Sequence, residues 1–410
     1  MIQRIPHLIL VSLILFILLI GCIIPQPPVP APPYKSVNTL TDAHNELGFK
    51  MLHELTKKDS GKNVFISPTS ISLALTMVYD GSVGSTKDGI ANTLEFQNLS
   101  QDTIDNDSNY LIQSLSTRQN VELSVANSIW LNNDLQLNPD YKTNMEQYLD
   151  ARVSTLDFNL PTSADTINSW VSDKTHNKIT SIIDPPLNNY KAILVNAVYF
   201  KGKWKKPFNV DATHDKNFTA GDGSVSSVPM MEQSGEYNYL ENDKFQAIEL
   251  PYSDNLSMFV FLPKISILSN QKIEDFVQDI DSVKWGQWRS QFEQDGGTIL
   301  LPRFKTTYST TLNEPLQNFG MGVAFSDSAD FSPMSSTPLK IDTVIHKTFV
   351  ETNEEGTEAA AVTGVIMDGT TAADPPSKPP FYMKVDHPFF FAIYDEQTGS
   401  ILFMGTMNDV

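Results

Sequence analysis

From Glu354 to Gly364 the chain reads Glu-Glu-Gly-Thr-Glu-Ala-Ala-Ala-Val-Thr-Gly. Taken with a period of two, Thr357, Ala359, Ala361 and Thr363 form one face of uniformly small side chains. Glu358, Ala360 and Val362 form the other, which tolerates solvent. A strand built this way could slide between two existing strands without striking the core beneath. The first proline after Gly356 is Pro375, so the 18 residues from Thr357 to Asp374 keep every backbone N–H that a ladder needs. About 14 of them, at ~3.3 Å each, would cover ~46 Å of sheet. The same letters also suit a helix: Thr357-Glu-Ala-Ala-Ala361 has good helix propensity, with Thr357 as N-cap.

Elsewhere the candidate chemistry is sparse. The seven histidines, His7, His44, His53, His176, His214, His346 and His387, show no HExxH or other metal-ligand spacing. There is no GxSxG elbow, and Gly81-Ser-Val-Gly84 has the wrong spacing for one. No GxxxxGK[ST] or GxGxxG occurs. A Ser–His–Asp triad assembles in space and leaves no such signature, but nothing here points to an enzyme, a metal or a cofactor. Lys and Arg total 29 against 48 Asp and Glu, a formal net charge of -19. That argues against nucleic-acid binding, which needs a cationic surface. The 410 residues are 40% hydrophobic and 19% charged, enough for a large globular core.

Cys22 is the one cysteine, so no internal disulfide, Cys-rich zinc site or CxxC pair is available. It follows Arg4, an apolar run from Leu8 to Ile20 broken only by Ser12, and Gly21. Leu19-Ile20-Gly21-Cys22 resembles the lipobox of prokaryotic lipoproteins, in which the cysteine becomes the lipidated first residue of the mature chain. The expected organisation is a signal peptide over 1–21, lipidation at Cys22 and a Pro-rich tether over 22–36. An uncleaved anchor is the alternative, although 13 apolar residues fall short of the roughly 20 a span requires; a plain secretory signal is another. All three place the body outside the cytoplasm: lipid-anchored on the extracellular face of the membrane or cell surface, or secreted if the cysteine is not used. Gln26-Pro-Pro-Val-Pro-Ala-Pro-Pro33 favours extended polyproline II, and about 14 tether residues at ~3.1 Å reach ~40 Å. Sequons at Asn98, Asn106, Asn217 and Asn255 permit glycosylation and no more.

No repeat and no second linker interrupts Val37 to Val410, which reads as one domain. Leu40 to Leu55 carries apolar residues at helical spacing. Ser67-Pro68 supplies an N-cap and a proline at the first helical position, Ile71, Ala74, Leu75 and Val78 follow on one face, and Gly81 and Gly84 end the helix. Strands are expected at Ala192–Phe200, Phe245–Tyr252, Leu256–Leu262, Gly297–Phe304 and Leu339–Thr352. A closing hairpin is expected from Phe389–Tyr394 and Ser400–Thr406 through Glu396-Gln-Thr-Gly399. A helical front and a strand-rich back suggest α+β.

From about Asn45 to the C-terminus the chain resembles the serpins. Asn63-Val-Phe-Ile-Ser-Pro-Thr-Ser-Ile-Ser-Leu-Ala-Leu75 resembles the helix behind the main serpin sheet. Asn196-Ala-Val-Tyr-Phe-Lys-Gly-Lys-Trp204 and Pro207-Phe208 resemble the top of that sheet. Asp330-Phe-Ser, Ile345-His-Lys347 and Glu354-Glu-Gly-Thr-Glu-Ala-Ala-Ala361 resemble the approach to the hinge and the hinge itself. His387-Pro-Phe-Phe and Leu402-Phe-Met-Gly405 resemble the closing strands. Each match is weak, but together and in order they are specific.

The resemblance implies an α+β serpin fold with three β-sheets, eight to nine helices and a central sheet able to accept the reactive loop, about 354–384, as an added strand. It implies a monomeric, irreversible suicide-substrate inhibitor of serine or cysteine endopeptidases, with a non-inhibitory binding or carrier serpin as the alternative. The hinge would comprise Glu354, Glu355, Gly356, Thr357, Glu358, Ala359, Ala360 and Ala361, with Gly356 as pivot. Ser67, Ser70, Asn196 and His346 would form a polar cluster beneath the sheet where strands part. Trp204 would mark where insertion begins, or be plain core. Arg303 would pair with Glu354. Counting fourteen residues on from Gly356 places the scissile bond at Thr370-Thr371, with Met367-Asp368 second. The stretch before His387-Pro388 is longer than in typical members, the extra length lying in Asp374-Pro-Pro-Ser-Lys-Pro-Pro380. Between Glu358 and Ser377 there is no Lys or Arg, and Lys378 precedes Pro379. The expected target is therefore an elastase-like or subtilisin-like enzyme that accepts small or uncharged residues.

Overall fold

The helical front forms as its periodicity predicts. α1 (Val37–Lys58) leads through a short β1 (Val64–Ile66) into α2 (Pro68–Asp80), followed by α3 (Gly84–Leu94) and α4 (Gln101–Ser116). α2 starts at the expected cap: the Ser67 hydroxyl accepts from the Ser70 N–H at 3.3 Å, and Pro68 needs no partner for a missing N–H. Every residue of α2 from Pro68 to Tyr79 is buried, not only the face of Ile71, Ala74, Leu75 and Val78. A helix buried all round belongs inside a core, where the hydroxyls of Thr69 and Thr76 find carbonyl partners and that of Ser72 finds none among the described residues.

This computed structural model describes residues 37–264, 272–357 and 379–410. The expected signal peptide with Leu19-Ile20-Gly21-Cys22, the tether, Glu358, Ala359, Ala360 and Ala361, and both candidate scissile bonds, Thr370-Thr371 and Met367-Asp368, lie outside those residues. The chain continues through β2 (Val121–Asn132), α5 (Pro139–Leu149), β3 (Arg152–Leu156), α6 (Ser163–Lys174) and β4 (Ala192–Lys203). Then come β5 (His214–Thr219), β6 (Val225–Glu241), β7 (Phe245–Pro251), β8 (Leu256–Pro263), α7 (Ile273–Gln278) and α8 (Ser282–Arg289). β9 (Glu293–Pro302), β10 (Phe304–Thr311), α9 (Asn313–Asn318), β11 (Thr343–Asn353) and the two-residue β12 (Gly356–Thr357) bring the chain to the loop. β13 (Phe381–Lys384), β14 (Phe389–Asp395) and β15 (Ile401–Met407) close it.

Nine α-helices stand among the described residues, in an α+β arrangement. The central sheet has six strands in the order β10-β11-β12-β4-β2-β3. The remaining strands run β1-β15-β14-β8-β7-β6-β9-β13, with β5 on β6. Two of the three expected sheets are thus continuous, because the 17-residue β6 pairs with β5 and β9 along most of its length and with β7 at its end. The strand expected at Gly297–Phe304 is two strands in different sheets. Pro302 ends β9, Phe304 starts β10, and Arg303 stands at the corner with its N–H on Pro229 O at 2.9 Å. The strand expected from Leu339 begins only at Thr343. One hydrophobic cluster joins the helices to both sheets; a second packs Ile167 and Val171 of α6, with Ile179 and Ile182 after it, on the other face of β2, β4 and β11.

Candidate functional site

The site is a seam in the central sheet. β4 and β11 pair directly and in parallel from Ile193↔Thr343 to Tyr199↔Phe349. Above that level β12 lies between them, antiparallel to both: Gly356 and Thr357 face Lys203 and Gly202 on one side, and Asn353 and Thr352 on the other. The first two residues of an extra strand are therefore already seated, and the sheet is shut below them.

Glycine is required at the pivot. Gly356 has φ +144°, and a Cβ there would lie 2.0 Å from the Gly202 carbonyl oxygen. Thr357 is fully buried, its hydroxyl 2.8 Å from that of Tyr252. Tyr252 stacks on Trp204 with ring centroids 4.2 Å apart and planes 6° from parallel. Trp204 is buried core and also a polar anchor: its indole N–H donates to Asn353 O at 2.9 Å, and its backbone N–H donates to Glu355 O at 2.9 Å. The corner that splits β9 from β10 aims Arg303 at Glu354. Its Nε lies 2.9 Å from both carboxylate oxygens, and Thr213 donates to the same group. Burial would raise the Glu354 carboxyl, but the hydrogen bonds from Arg303 and Thr213 outweigh it and hold the group below its ordinary range.

Halfway down the seam lies the polar cluster. Thr310, His346, Asn196 and Asn127 stand side by side in register on β10, β11, β4 and β2. His346 Nε2 accepts from the Ser67 N–H at 3.3 Å, so Nδ1 carries the proton and donates to Asn196 Oδ1. Asn196 Nδ2 donates to the Ser70 hydroxyl at 2.6 Å and to Asn127 Oδ1. Ser67 Oγ donates to Leu402 O at 2.6 Å. Burial pushes the His346 imidazole down to about 3, so it is neutral. Opening the seam requires parting His346 from Asn196.

All the expected residues within the described range, Ser67, Ser70, Asn196, His346, Trp204, Arg303, Glu354, Glu355, Gly356 and Thr357, line this one seam. The sequence reasoning missed Tyr252, Thr213, Gly202 and Asn127. Asn127 carried a usable signal, a polar residue on the buried face of an alternating strand; Tyr252 lies 105 positions from its partner and carried none. Among the described residues no cluster of three or more His, Cys, Asp or Glu side chains could hold a metal ion.

Known proteins share this architecture. The family described as Serpin (serine protease inhibitor) matches residues 42–410. An uncharacterized serpin-like protein of Methanosarcina mazei is 35% identical over 378 residues, covering 89% of this chain and 86% of that one. Human thyroxine-binding globulin with thyroxine superposes with a TM-score of 0.82 at 26% identity, over 92% of this chain and 99% of that one. Native protease nexin-1 with heparin gives 0.80 at 26%, over 91% and 100%. The chain belongs to the serpin family, whose members are in general protease inhibitors rather than enzymes.

Proposed function

We propose that this serpin is an irreversible suicide-substrate inhibitor of serine or cysteine endopeptidases, tethered through a lipid on Cys22 to the outer face of the cytoplasmic membrane. The part-seated hinge is the observation that carries the proposal. The target's nucleophile attacks the carbonyl carbon of Thr370, the Thr370–Thr371 bond breaks, the new amine leaves with a proton, and an acyl-enzyme forms. The freed loop then continues from Thr357 down the seam. Each residue added replaces parallel β4–β11 pairing with two antiparallel ladders, the stronger kind per residue. Continuing the register of Gly356 and Thr357 brings Thr363 between Asn196 and His346, where its hydroxyl can rejoin the polar row. The acylated protease is carried along and deformed, its oxyanion hole is lost, and deacylation stalls.

The absence of Lys and Arg between Glu358 and Ser377 supports a target that accepts small or uncharged residues, elastase-like or subtilisin-like. Incubation with subtilisin or an elastase should give a covalent band on a denaturing gel, with release of a C-terminal fragment whose mass reports the bond. A cut after Lys378 would refute the proposed specificity. The likeness to thyroxine-binding globulin favours a second reading, a non-inhibitory carrier. Clean cleavage with neither a complex nor a gain in heat stability would select it.

A further inference from the structure

β13 carries the C-terminal end of the loop, and four residues, Val385 to Pro388, join it to β14. Val385 extends the pairing with β9, its N–H on Leu300 O at 2.9 Å. Asp386 then takes the Thr219 N–H of β5 on its carbonyl at 2.8 Å. His387 follows, half-buried, and both of its ring nitrogens face acceptors. Nδ1 lies 2.9 Å from Asp386 Oδ1, and Nε2 lies 2.8 Å from the carbonyl oxygen of Pro263 at the end of β8. Burial would raise the Asp386 carboxyl, but hydrogen bonds from His387 and Lys384 outweigh it and hold the group below its ordinary range, so it accepts. A neutral imidazole has one N–H and one lone pair and can serve only one of two acceptors; the imidazolium donates to both. His346 is the contrast, since one of its nitrogens meets a donor and the neutral ring satisfies both sides. Among the described residues Asp386 is the one charged group that the His387 ring bonds, and Lys384 holds the other carboxylate oxygen at 3.0 Å. Charges on the elements around it are paired with one another: Lys264 after β8 with Glu241 of β6 at 2.7 Å, Lys244 before β7 with Asp279 at 3.6 Å, and Lys216 of β5 with Glu232 of β6 at 3.6 Å.

We propose that His387 is a proton-operated catch on β13, closed when both ring nitrogens carry a proton and half open when one does not. The imidazolium ties the β13–β14 connection to Asp386 on one side and to the end of β8 on the other. Loss of a proton breaks one of these ties and turns a lone pair toward an oxygen. An imidazole makes this change between about pH 5 and 8. The catch is therefore complete on the acid side of that range and is lost as pH rises through it. Freeing β13 from β9 requires Val385 to leave Leu300, and that displacement reaches His387 two positions on. A mildly acidic medium then holds the C-terminal end of the loop in place, and an alkaline one shortens the time for which the uncut chain keeps its loop outside the seam. The consequence for inhibition rests on the role proposed above; the catch does not.

The test follows hydrogen exchange at the Val385 amide of the intact protein, as a protection factor relative to the amides of β2, which share any global change. Between about pH 5 and 8 the factor should fall by about 2- to 12-fold, as the loss of one hydrogen bond predicts. In His387→Gln, whose amide can still donate to Pro263 O, the fall should vanish. In Asp386→Asn the new amide can turn to donate to the neutral ring, so the fall should vanish there too. A factor that does not change with pH in the native chain, or a fall that survives in folded His387→Gln, overturns the catch. If that variant does not fold, an undiminished fall in Asp386→Asn overturns it instead. The consequence is read separately, as the rate at which the uncut protein, kept alone at each pH, stops forming covalent complexes in an assay at one common pH. Faster loss on the alkaline side that disappears in His387→Gln supports it, and equal rates overturn it. Failure of every protease to form a covalent complex would remove the inhibitory role and leave the exchange profile to stand.

Discussion

Gly356 occupies space that no other residue can share, since a Cβ would overlap the Gly202 carbonyl oxygen and the backbone sits at φ +144°. Gly356→Ala should withdraw β12 from the seam at a cost of about 1–3 kcal/mol, seen as faster hydrogen exchange at Thr357; unchanged exchange would contradict the pivot. Thr357→Arg places a charge where Thr357 is fully buried against Tyr252. The protein should still fold, because the hinge can stay out, but the protease should turn it over as a substrate. Full inhibition by this variant would show the hinge to be misassigned. His346 makes a pH prediction. Its folded-state value, pushed down by burial to about 3, lies below the ~6.5 of an unfolded histidine. Stability from the neutral ring is therefore complete above about 6.5 and is lost as pH falls toward 3. Protonation would also set a second donor against the Ser67 N–H. His44, equally buried and also about 3, adds to the same slope. Asp80 acts in the opposite sense. Burial first, then Asp105, pushes it up to about 7, so its contribution is present below about 4 and is lost as pH rises through 7. Thermal unfolding from pH 4 to 8 should show the acid-side slope become shallower in His346→Gln; identical slopes would assign the acid sensitivity elsewhere.

Elements set these residues in place, and they differ in how legible they were. α2 and the closing hairpin could be read directly, because Ser67-Pro68, Gly81 and Glu396-Gln-Thr-Gly399 are local signals. The break at Arg303 could not: the apolar run Ile299-Leu-Leu301 followed by Pro-Arg-Phe304 reads the same whether one sheet or two receives it, and only long-range pairing decides. The long β6 was missed for a related reason, since polar positions on its half-covered faces blur the alternation; β2 alternates and was overlooked. Of the polar row, Asn196 and His346 were legible only through family resemblance, because they lie on strands far apart in the chain. Nor does sequence reveal that the segment after α6 straddles the seam. Lys347 of β11 donates to Ser181 O and Lys178 lies 5.6 Å over the Phe349 ring, whereas His176 reaches Glu122 of β2 at 2.6 Å. A strand arriving between β4 and β11 must strain one of these anchorages. Burial holds the Lys347 ammonium below its ordinary range, with Asp184 offsetting part of the effect, so its release to water is favoured once the contact breaks. Lys347→Met should quicken the annealing of a synthetic peptide of residues 357–370 to the protein, and Lys347→Arg should restore the wild-type rate. Equal rates in all three would show that this contact does not hold the seam.

At the scale of the molecule, the shut seam is a sheet one strand short of what its loop could supply. β4 and β11 offer paired positions from Ile193↔Thr343 to Tyr199↔Phe349, and on the proposed mechanism a loop strand exchanges that single parallel interface for two antiparallel ones. Each residue inserted below Thr357 gains roughly one further backbone hydrogen bond, worth about 0.5–1.5 kcal/mol net. The intact chain is barred from this state because its loop is covalently continuous with β13, which is paired in register with β9 from Phe381↔Gly297 to Lys384↔Leu300 and pinned by Phe381 stacked 4.0 Å from Tyr239. A single cut between Thr363 and Asp374 removes that restraint without removing any contact of the described residues. On the proposed mechanism the cut protein should unfold at a higher temperature than the intact one, with its loop protected from a second protease. Phe381→Ala should let the uncut protein drift slowly toward the same stable state on warming, as β13 detaches. Calorimetry before and after limited proteolysis decides the matter: a cut chain that melts where the intact chain does, with its new ends still open to carboxypeptidase, has no slot for the loop and cannot trap a protease this way.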